Sequence, residues 1–351
     1  MSGLVNSASL AVLRKETRPY LIDRFMLRPS INILVGHSGQ GKSALCMQMG
    51  MCVAGGERFF DHKIREPGPV IYCDAESTPD MMGEMLEGLS YHIGYGRTPP
   101  EAFHIWNPNW NVEKGAIVIP QNKITLYKHV KEIKPKLVII DSLRNFFPLA
   151  ISKQEKASEM IREMRKLGGE TGTSFLLVHH LRKTDKEEKR SGDRPTVRQN
   201  VNLWLEEASG TLALINNTDL RLGWEPDDKD PDNFWLGGFL RVAGTIGPFR
   251  LDRMYDDSGD PAGYKPCKIL QQLGRVERDI YAQLPFDPFY FSYIITELKR
   301  SQGATARFIR KAMDLGLIKV VGKEQPLNGG RPRKLYQKSS PDEVEEEDEA
   351  C

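Results

Sequence analysis

Short, continuous runs of apolar residues alternate with helical patterns over residues 28–220. Continuous rather than alternating apolar character is typical of strands that are buried on both faces of a sheet. The runs predict strands over residues 31–35, 70–74, 137–141, 175–179 and 212–215. The intervening periodicity predicts helices over residues 43–54, 79–93, 124–134 and 153–167. Because alternating strands and helices require crossover connections, we expect an α/β fold with a mostly parallel central sheet.

The later part of the chain changes character. The polar residues 225–233 predict a loop, and the two apolar stretches after it predict a hairpin. Gly, Pro and Asp dominate residues 256–266, which is the composition of a linker. We therefore divide the chain as follows: an N-terminal segment 1–17, a main domain 18–255, a linker 256–266, a small domain 267–340 and an acidic, disordered tail 341–351.

Composition narrows the class of protein. Hydrophobic residues make up 40% and charged residues 27% of the 351 residues, as in ordinary globular proteins. No run of ~20 apolar residues is present, so we expect no membrane span. The N-terminus lacks the pattern of a secretory signal, and the five cysteines form no CxxC pair. These observations predict a cytoplasmic protein with reduced thiols.

Charge is distributed unevenly along the chain. The net charge is +2, but residues 341–351 contain seven acidic residues and no basic one. Residues 291–338 contain eleven Lys or Arg and three acidic residues. A basic block of this kind indicates a nucleic-acid-binding surface, with a solvated basic face as the alternative.

One motif carries specific chemistry. Residues 36–43, GHSGQGKS, fit the pattern G-x-x-x-x-G-K-[ST] between a predicted strand and a predicted helix. Glycines in such a loop let backbone N–H groups face phosphate oxygens, and the helix N-terminus adds positive potential. The lysine is expected to reach the β- and γ-phosphates of ATP, and the serine hydroxyl to bind Mg²⁺. The predicted nucleotide-binding residues are Gly36, His37, Ser38, Gly39, Gln40, Gly41, Lys42, Ser43 and Ala44.

Polar residues end three further predicted strands. Asp141 follows four apolar residues and is the candidate partner of Ser43 in holding Mg²⁺. Glu76 follows the strand that ends at Asp74, on the edge where ligands bind in parallel sheets. Glu76 is the candidate general base for the attacking water, and Asp74 is the less favoured candidate, with a capping or positioning role as its alternative.

Paired histidines end the strand over 175–179. A neutral histidine on the same edge as the phosphate loop can donate a hydrogen bond to a γ-phosphate. We assign this role to His180 first and His179 second, with a structural histidine as the alternative.

The chain resembles the RecA-like P-loop ATPases. The resemblance rests on four motifs in this order: the phosphate loop, Asp74-Ala-Glu76, the strand ending at Asp141 and His179-His-Leu-Arg-Lys. Within these, the chain is most similar to the RepA-like hexameric helicase ATPases of plasmids, phages and integrated elements. The resemblance covers roughly residues 18–250. It implies ATP hydrolysis with Mg²⁺, and a homo-oligomeric ring, with a hexamer as the family's example, whose ATP sites lie between subunits.

The resemblance also points to a DNA-binding loop. The polar stretch after the histidine pair corresponds to a loop that lines the central channel of RecA-like rings and contacts single-stranded DNA. The candidate phosphate contacts there are Lys183, Arg190, Arg194 and Arg198. A solvated loop is the alternative, because mixed charge is common in exposed loops.

One departure from the family pattern concerns catalysis across the subunit interface. Related ring helicases carry a Lys-x-Arg pair before a Gly-Pro, and the pair reaches the neighbouring subunit's ATP. Here Ala243 and Thr245 stand at those positions, before Gly247-Pro248. Arg221 and Arg241 are the two candidates for the trans-acting arginine, and the sequence does not decide between them. Loss of an arginine finger costs ~10³ or more in rate.

The C-terminal pattern is helix, turn, helix and two-stranded hairpin, which resembles the winged-helix DNA-binding family over about 50 residues. The second helix, over 304–315, would expose Thr305 and its basic residues to duplex DNA, and the hairpin would offer further bases to the backbone. The candidate DNA contacts are Arg307, Arg310, Lys311, Arg331 and Arg333. A winged helix that binds protein is the alternative.

These features favour a DNA-dependent ATPase, a replicative helicase or helicase loader of a mobile element. The second hypothesis is an ATP-gated DNA-binding regulator or recombination accessory protein that hydrolyses little ATP, which the Ala243 and Thr245 replacement favours. A small-molecule kinase is disfavoured, because it has no use for the basic C-terminal block.

Overall fold

The computed structural model describes residues 19–110, 119–181, 195–208, 212–227, 230–242, 244–256, 258–267, 273–285, 287–315, 317–325 and 332–338. The chain divides into two compact units, Met1–Lys265 and Pro266–Cys351. The described residues contain no helix long and apolar enough to cross a membrane. The described cysteines, Cys46, Cys52, Cys73 and Cys267, are buried thiols that form no disulfide.

The first unit alternates strands and helices. Its elements are β1 Tyr20–Ile22, β2 Met26–Leu27, β3 Ile31–Gly36, α1 Lys42–Gly55, β4 Val70–Asp74, α2 Pro79–Ile93, β5 Phe103–Trp106, α3 Ile119–Ile133, β6 Leu137–Asp141, α4 Leu143–Phe146, α5 Pro148–Ser152, α6 Gln154–Thr171, β7 Ser174–His180, α7 Val197–Glu206, α8 Leu212–Asn216, β8 Leu220–Asp227, β9 Asp230–Leu240, β10 Gly244–Tyr255 and β11 Pro261–Pro266.

A nine-stranded sheet organises this unit, in the order β11-β10-β9-β8-β3-β7-β6-β4-β5. In the part of the sheet with the order β8-β3-β7-β6-β4-β5, all neighbouring strands pair in parallel. Strand β9 pairs antiparallel with both β8 and β10. The expected α/β fold with a mostly parallel central sheet is therefore confirmed. Strand β3, which leads into the phosphate loop, lies between β7 and β8. Consequently the carboxyl ends of β3, β7, β6 and β4 share one edge of the sheet.

Two apolar layers cover the two faces of the sheet. Alternate residues of β3 supply them, with Leu34 in one layer and Ile33 and Val35 in the other. Helices α1 and α2 pack in the first layer, and helices α3 to α8 contribute to the second. The continuous apolar character of β3, β4 and β6 follows from this arrangement, because every residue of these strands is buried.

Three segments of the first unit differ from the sequence expectation. Residues 225–227 and 230–233, predicted as part of a polar loop, belong to the end of β8 and the start of β9, since polar residues are tolerated at strand ends that reach solvent. Residues 212–215, predicted as a strand, lie in helix α8, and the strand follows as β8. A four-residue apolar run does not distinguish a buried strand from one buried turn of helix. The segment 256–266, predicted as a linker, contains a turn and β11, which belongs to the main sheet. The division between units falls at the end of this strand rather than before it.

The second unit has its own small core. Its elements are α9 Arg275–Gln283, β12 Phe289–Tyr290, α10 Phe291–Thr296, α11 Gln302–Asp314, β13 Ile318–Glu324 and β14 Arg333–Lys338. The strands form a three-stranded antiparallel sheet in the order β12-β14-β13. Buried Ile294, Phe308 and Tyr336 join the helices to the sheet. The acidic tail, 341–351, lies outside the described residues.

Candidate functional site

The predicted phosphate loop connects β3 to α1. Gly39 and Gly41 have φ angles of 73° and 75°, a region that residues with a Cβ adopt only at a cost. Gly41 is the N-cap of α1, so Lys42 is the first residue of that helix. The site thus combines a tight glycine-rich turn with the N-terminus of a 14-residue helix, as phosphate binding requires. Ala44 is buried in the core, so only its backbone faces this loop.

The lysine of the motif is folded back onto its own loop. Lys42 is 5% exposed, and its ammonium group donates a hydrogen bond to the carbonyl oxygen of His37. Burial lowers the pKa of Lys42, and the nearby carboxylates of Asp141 and Glu76 counteract this shift. Lys42 is therefore a buried cation that lies close to both predicted catalytic acids.

Asp141 and Ser43 meet beside the loop, as the sequence predicted. The Ser43 hydroxyl hydrogen-bonds the Asp141 carboxylate, which also accepts a 2.5 Å bond from the Tyr72 hydroxyl. Burial raises the pKa of Asp141, and its bonds to Ser43 and Tyr72 and the charge of Lys42 oppose the rise. The peptide bond from Asp141 to Ser142 is cis.

This donor set fits Mg²⁺ bound together with phosphate. Mg²⁺ takes oxygen ligands and is commonly held by one or two protein groups plus substrate phosphates. The Ser43 hydroxyl and the Asp141 carboxylate supply such oxygens. Among the described residues, no group of three or more His, Cys, Asp or Glu side chains could hold a metal ion.

Glu76 lies in the loop beyond β4, on the same edge of the sheet. Its side chain is exposed, and Oε1 accepts a 2.6 Å hydrogen bond from the side-chain amide of Asn145 in α4. Its charge acts on the pKa of both Lys42 and His180, so it is close to both groups. An exposed, oriented carboxylate at this place is suited to accept a proton from water.

Asp74 has a different environment. Its carboxylate accepts hydrogen bonds from the backbone N–H of Ser77, at 2.9 Å, and from the side-chain amide of Asn107, at 3.0 Å. Asp74 is 6% exposed. Its oxygens are engaged in shaping the loop that carries Glu76, which supports the positioning role over the general-base role.

His180 ends β7, directly opposite Gly36 in the sheet register. Burial lowers its pKa to about 4, and the charge of Lys42 contributes in the same direction. The imidazole is consequently neutral near pH 7. Its buried Nδ1 has no hydrogen-bond partner among the described residues. His179, the preceding residue, is 1% exposed and pairs with Val35, so it lies within the sheet rather than at its edge.

The two candidate trans-acting arginines lie towards the side of the sheet where β3 begins, opposite to the side where the phosphate loop follows it. Arg221 pairs with Ile33, before the midpoint of β3, and donates to the carbonyl of Asn216. Arg241 follows β9, and its backbone N–H donates to Asp219, whose carboxylate caps the start of β3. Neither residue is near the phosphate loop of its own chain. Thr245 is exposed on β10, and Ala243 lies outside the described residues.

The structure describes only part of the predicted single-strand-binding loop. Arg198 lies in the first turn of α7, with its guanidinium 5.4 Å from the ring centroid of Trp235. This cation–π contact already uses one face of the group. The other three candidates, Lys183, Arg190 and Arg194, lie outside the described residues.

The basic residues of the second unit have different environments. Arg307 and Arg310 are exposed on α11, and Arg333 is exposed on β14. Lys311 is instead paired with Glu277 of α9 at 2.8 Å. Arg331 lies outside the described residues.

Thr305, expected to face DNA, is fully buried, with its hydroxyl bonded to the Ser301 carbonyl. The expectation of exposure was wrong because Thr305 lies one turn before Phe308 and Ile309, on the buried face of α11.

Four residues around the phosphate loop belong to none of the sequence motifs, so the sequence analysis did not predict them. Asn145 orients Glu76, and Tyr72 donates to Asp141. Trp224 and Tyr264 donate to backbone carbonyls of the phosphate loop itself. Trp224 and Tyr264 come from strands far from the loop in sequence, and local patterns do not predict such contacts.

Comparisons with known proteins found a similar structure and a matching family model. A KaiC-like protein of the hyperthermophilic archaeon Pyrococcus horikoshii OT3 is similar in structure, with a TM-score of 0.43 and 12% sequence identity, over 72% of this chain and 99% of that chain. The family model for the AAA domain matches residues 4–186, just over half of the chain and including the whole phosphate loop. The chain therefore belongs to the AAA domain family and is a P-loop ATPase.

Proposed function

We propose that this protein is a DNA-dependent ATPase with a RecA-like ATPase domain, a RepA-like replicative helicase or helicase loader of a mobile element. In this proposal it assembles into a homo-oligomeric ring and hydrolyses ATP between subunits while bound to DNA. The observation that carries the proposal is the convergence of Lys42, Ser43, Asp141, Glu76 and His180 on one edge of the sheet.

Each of these residues has a distinct task in the proposed reaction. Lys42 would exchange its bond to the His37 carbonyl for the β- and γ-phosphates. Ser43 and Asp141 would hold Mg²⁺, which would supply positive charge to neutralise charge on the phosphates. Glu76 accepts the proton of the attacking water while Asn145 holds its carboxylate. Neutral His180 donates a hydrogen bond to the γ-phosphate and loses that partner after hydrolysis.

The positions of Arg221 and Arg241 support assembly into a ring. A group that acts on a neighbour's ATP must lie away from its own phosphate loop, and both arginines lie at the opposite edge of the sheet. Burial lowers the pKa of Arg221, and the adjacent Arg241 adds to that effect. A guanidinium so placed gains from a partner with negative charge, such as the phosphates of a neighbouring subunit's ATP.

The second unit supports DNA as the partner. We propose that it is a winged helix in which α11 enters the major groove of duplex DNA and the β13–β14 hairpin contacts the backbone. Exposed Arg307 and Arg310 on α11, with Arg333 on the hairpin, form a basic surface for phosphate contacts. Single-stranded DNA would bind the loop after β7, through Lys183, Arg190, Arg194 and Arg198.

A second candidate function is an ATP-gated DNA-binding regulator with little hydrolysis. Thr245 favours it, since this exposed residue of β10 carries no charge where related ring helicases have a base. In that case, ATP binding would change assembly on DNA, and hydrolysis would be slow in every condition.

Steady-state ATP hydrolysis by the purified protein distinguishes these functions. It is measured without DNA, with single-stranded DNA and with duplex DNA, for the wild type, Glu76→Gln and a control, Glu84→Gln, on the exposed face of α2. The helicase or loader proposal expects single-stranded DNA to stimulate ATP hydrolysis. Glu76→Gln should lower the stimulated rate by about 10² or more, and Glu84→Gln should keep it. ATP binding without turnover or stimulation supports the regulator. Turnover indifferent to DNA contradicts both.

A further inference from the structure

Two aromatic side chains lie behind the phosphate loop. Trp224 at β8 and Tyr264 at β11 are 0% and 3% exposed, and their rings pack edge to face at 4.8 Å. Trp224 also stacks on Phe234, with ring centroids 4.7 Å apart. Both side chains direct a polar hydrogen at the loop: Trp224 Nε1 donates to the Gln40 carbonyl at 2.6 Å, and the Tyr264 hydroxyl donates to the Gly41 carbonyl at 3.2 Å.

These bonds fix the direction of two backbone N–H groups. In a trans peptide, the C=O of one residue and the N–H of the next point in opposite directions. The bond from Trp224 therefore turns the N–H of Gly41 away from the buried rings. The Gly41 carbonyl also accepts the backbone N–H of Leu45 at 3.2 Å, the first bond of α1, so Tyr264 adds a second donor that holds this carbonyl, and with it the N–H of Lys42, in the same direction. These are N–H groups at the start of α1, where a phosphate-binding loop presents its donors to the ligand.

Tyr264 is itself held against α1. Its backbone N–H donates to Gln48 Oε1 at 2.9 Å, and the Gln48 amide donates back to the Tyr264 carbonyl at 2.7 Å. The hydroxyl also fills the space beside Gly41, because a Cβ built on Gly41 would lie 1.9 Å from it. The tyrosine and the loop thus fit each other closely at the first turn of the helix.

We propose that Trp224 and Tyr264 are positioning residues for nucleotide binding. They hold the Gln40 and Gly41 carbonyls on the buried side of the loop, so that the N–H groups of Gly41 and Lys42 face the β-phosphate of ADP or ATP. The inference rests on the proposed function, since it requires residues 36–43 to be the nucleotide site. It adds that nucleotide affinity depends on two side chains that lie far from the loop in sequence, on β8 and β11.

The test uses the full-length protein and isothermal titration calorimetry with MgADP. Tyr264→Phe removes the hydroxyl and keeps the ring, and Trp224→Phe removes the N–H and keeps an aromatic side chain. Tyr127→Phe is the matched control, because it removes a hydroxyl that donates to Glu163, away from the loop. We expect the Kd for MgADP to rise roughly fivefold in Tyr264→Phe and in Trp224→Phe, the effect of one lost hydrogen bond, and to stay unchanged in Tyr127→Phe.

Melting temperatures without nucleotide separate positioning from general stability. A purely structural role would lower the melting temperature of Tyr264→Phe and leave its Kd equal to that of the wild type, and this result in both loop variants would overturn the inference. Lys42→Ala separates the role of the two aromatic residues from the existence of the nucleotide site. If Lys42→Ala lost MgADP binding while Trp224→Phe and Tyr264→Phe bound it normally, the nucleotide site would be supported and the positioning role of the two aromatic residues refuted. A wild type that binds no MgADP would overturn the inference and the proposed function together.

Discussion

Asn145 donates a hydrogen bond of 2.6 Å to Oε1 of Glu76, across two separate segments of the chain. Glu76 follows β4, and Asn145 lies in α4, four residues after Asp141. Because β4 and β6 are neighbours in the sheet, the proposed general base is connected to the segment that carries the proposed magnesium ligand. In the proposed mechanism, the orientation of the general base therefore depends on a residue outside the recognisable motifs.

The first prediction concerns this contact. Asn145→Ala should lower kcat for ATP hydrolysis by about tenfold, because a hydrogen bond to a charged group that positions the base is lost. KM for ATP should change little, since Asn145 does not reach the phosphate loop. The measurement is steady-state ATP hydrolysis over a range of ATP concentrations.

Asn216→Ala is its control, as Asn216 is exposed at the end of α8. A wild-type kcat in Asn145→Ala would show that Glu76 is oriented without this bond. Equal losses in both variants would show a general effect of removing an asparagine side chain.

The second prediction concerns pH and His180. Burial lowers its pKa to about 4, whereas an unfolded histidine titrates near ~6.5. Between these values the unfolded state binds more protons, so this group makes the folded state less stable as pH falls through that range. His180→Asn removes the titration, and the melting temperature should then fall less than in the wild type between about pH 6.5 and pH 4.

Thermal melts at several pH values make this measurement. The control is His104→Asn, at an exposed position of β5, which should follow the wild-type curve. Parallel curves for His180→Asn and the wild type would mean that His180 does not remain neutral through burial.

The third prediction separates two adjacent basic residues of α11. Arg310 is exposed, whereas Lys311 is paired with Glu277. Arg310→Ala should weaken duplex binding and reduce the slope of log K against log salt by about 0.9, the value for one phosphate contact. Lys311→Ala should instead lower the thermal stability, because Glu277 loses its partner in a partly buried site.

Fluorescence anisotropy with labelled duplex DNA at several salt concentrations measures the first effect, and thermal melts measure the second. If Lys311→Ala changed the salt slope as much as Arg310→Ala, the lysine would contact DNA despite its ion pair. If neither variant changed it, α11 would not be the DNA-binding helix.

The fourth prediction concerns the acidic residues 341–351. Seven acids there could compete with DNA phosphates for the basic second unit. Deletion of 341–351 should tighten DNA binding at low salt, with the difference shrinking at high salt. The control replaces the seven acids by Asn and Gln at unchanged length, and it should match the deletion. Unchanged affinity in both would refute the competition.

The sequence predicted which residues the structure brings together at the candidate site, because these residues follow buried strands of one sheet. Lys42, Ser43, Glu76, Asp141 and His180 all lie at strand ends or just after them, and parallel pairing brings such ends together. The order of strands, and therefore which ends are neighbours, could not be read from the pattern, but any parallel arrangement places these ends on the same side of the sheet.

The errors share a physical cause. Residues 212–215 are apolar because they are buried, and burial alone does not determine whether four residues form a strand or a helical turn. Thr305 is polar, yet its hydroxyl donates a hydrogen bond to the backbone carbonyl of Ser301 in the preceding turn, so the side chain tolerates burial. Asn145, Tyr72, Trp224 and Tyr264 act through contacts between distant segments, which residue spacing does not encode.

The bond between Tyr264 and the Gly41 carbonyl also decides how the protein can be dissected. A fragment that ends at 255, where the composition suggests a boundary, would contain the whole motif but lose β11 and the reciprocal bonds to Gln48. Such a fragment would carry a phosphate loop whose first helical turn lacks its support. A fragment that ends at 265 keeps Tyr264 and its bond to Gly41. If Tyr264 positions the loop as proposed, the last strand of the sheet, although far from the motif in sequence, belongs to the smallest piece expected to bind nucleotide as the full chain does.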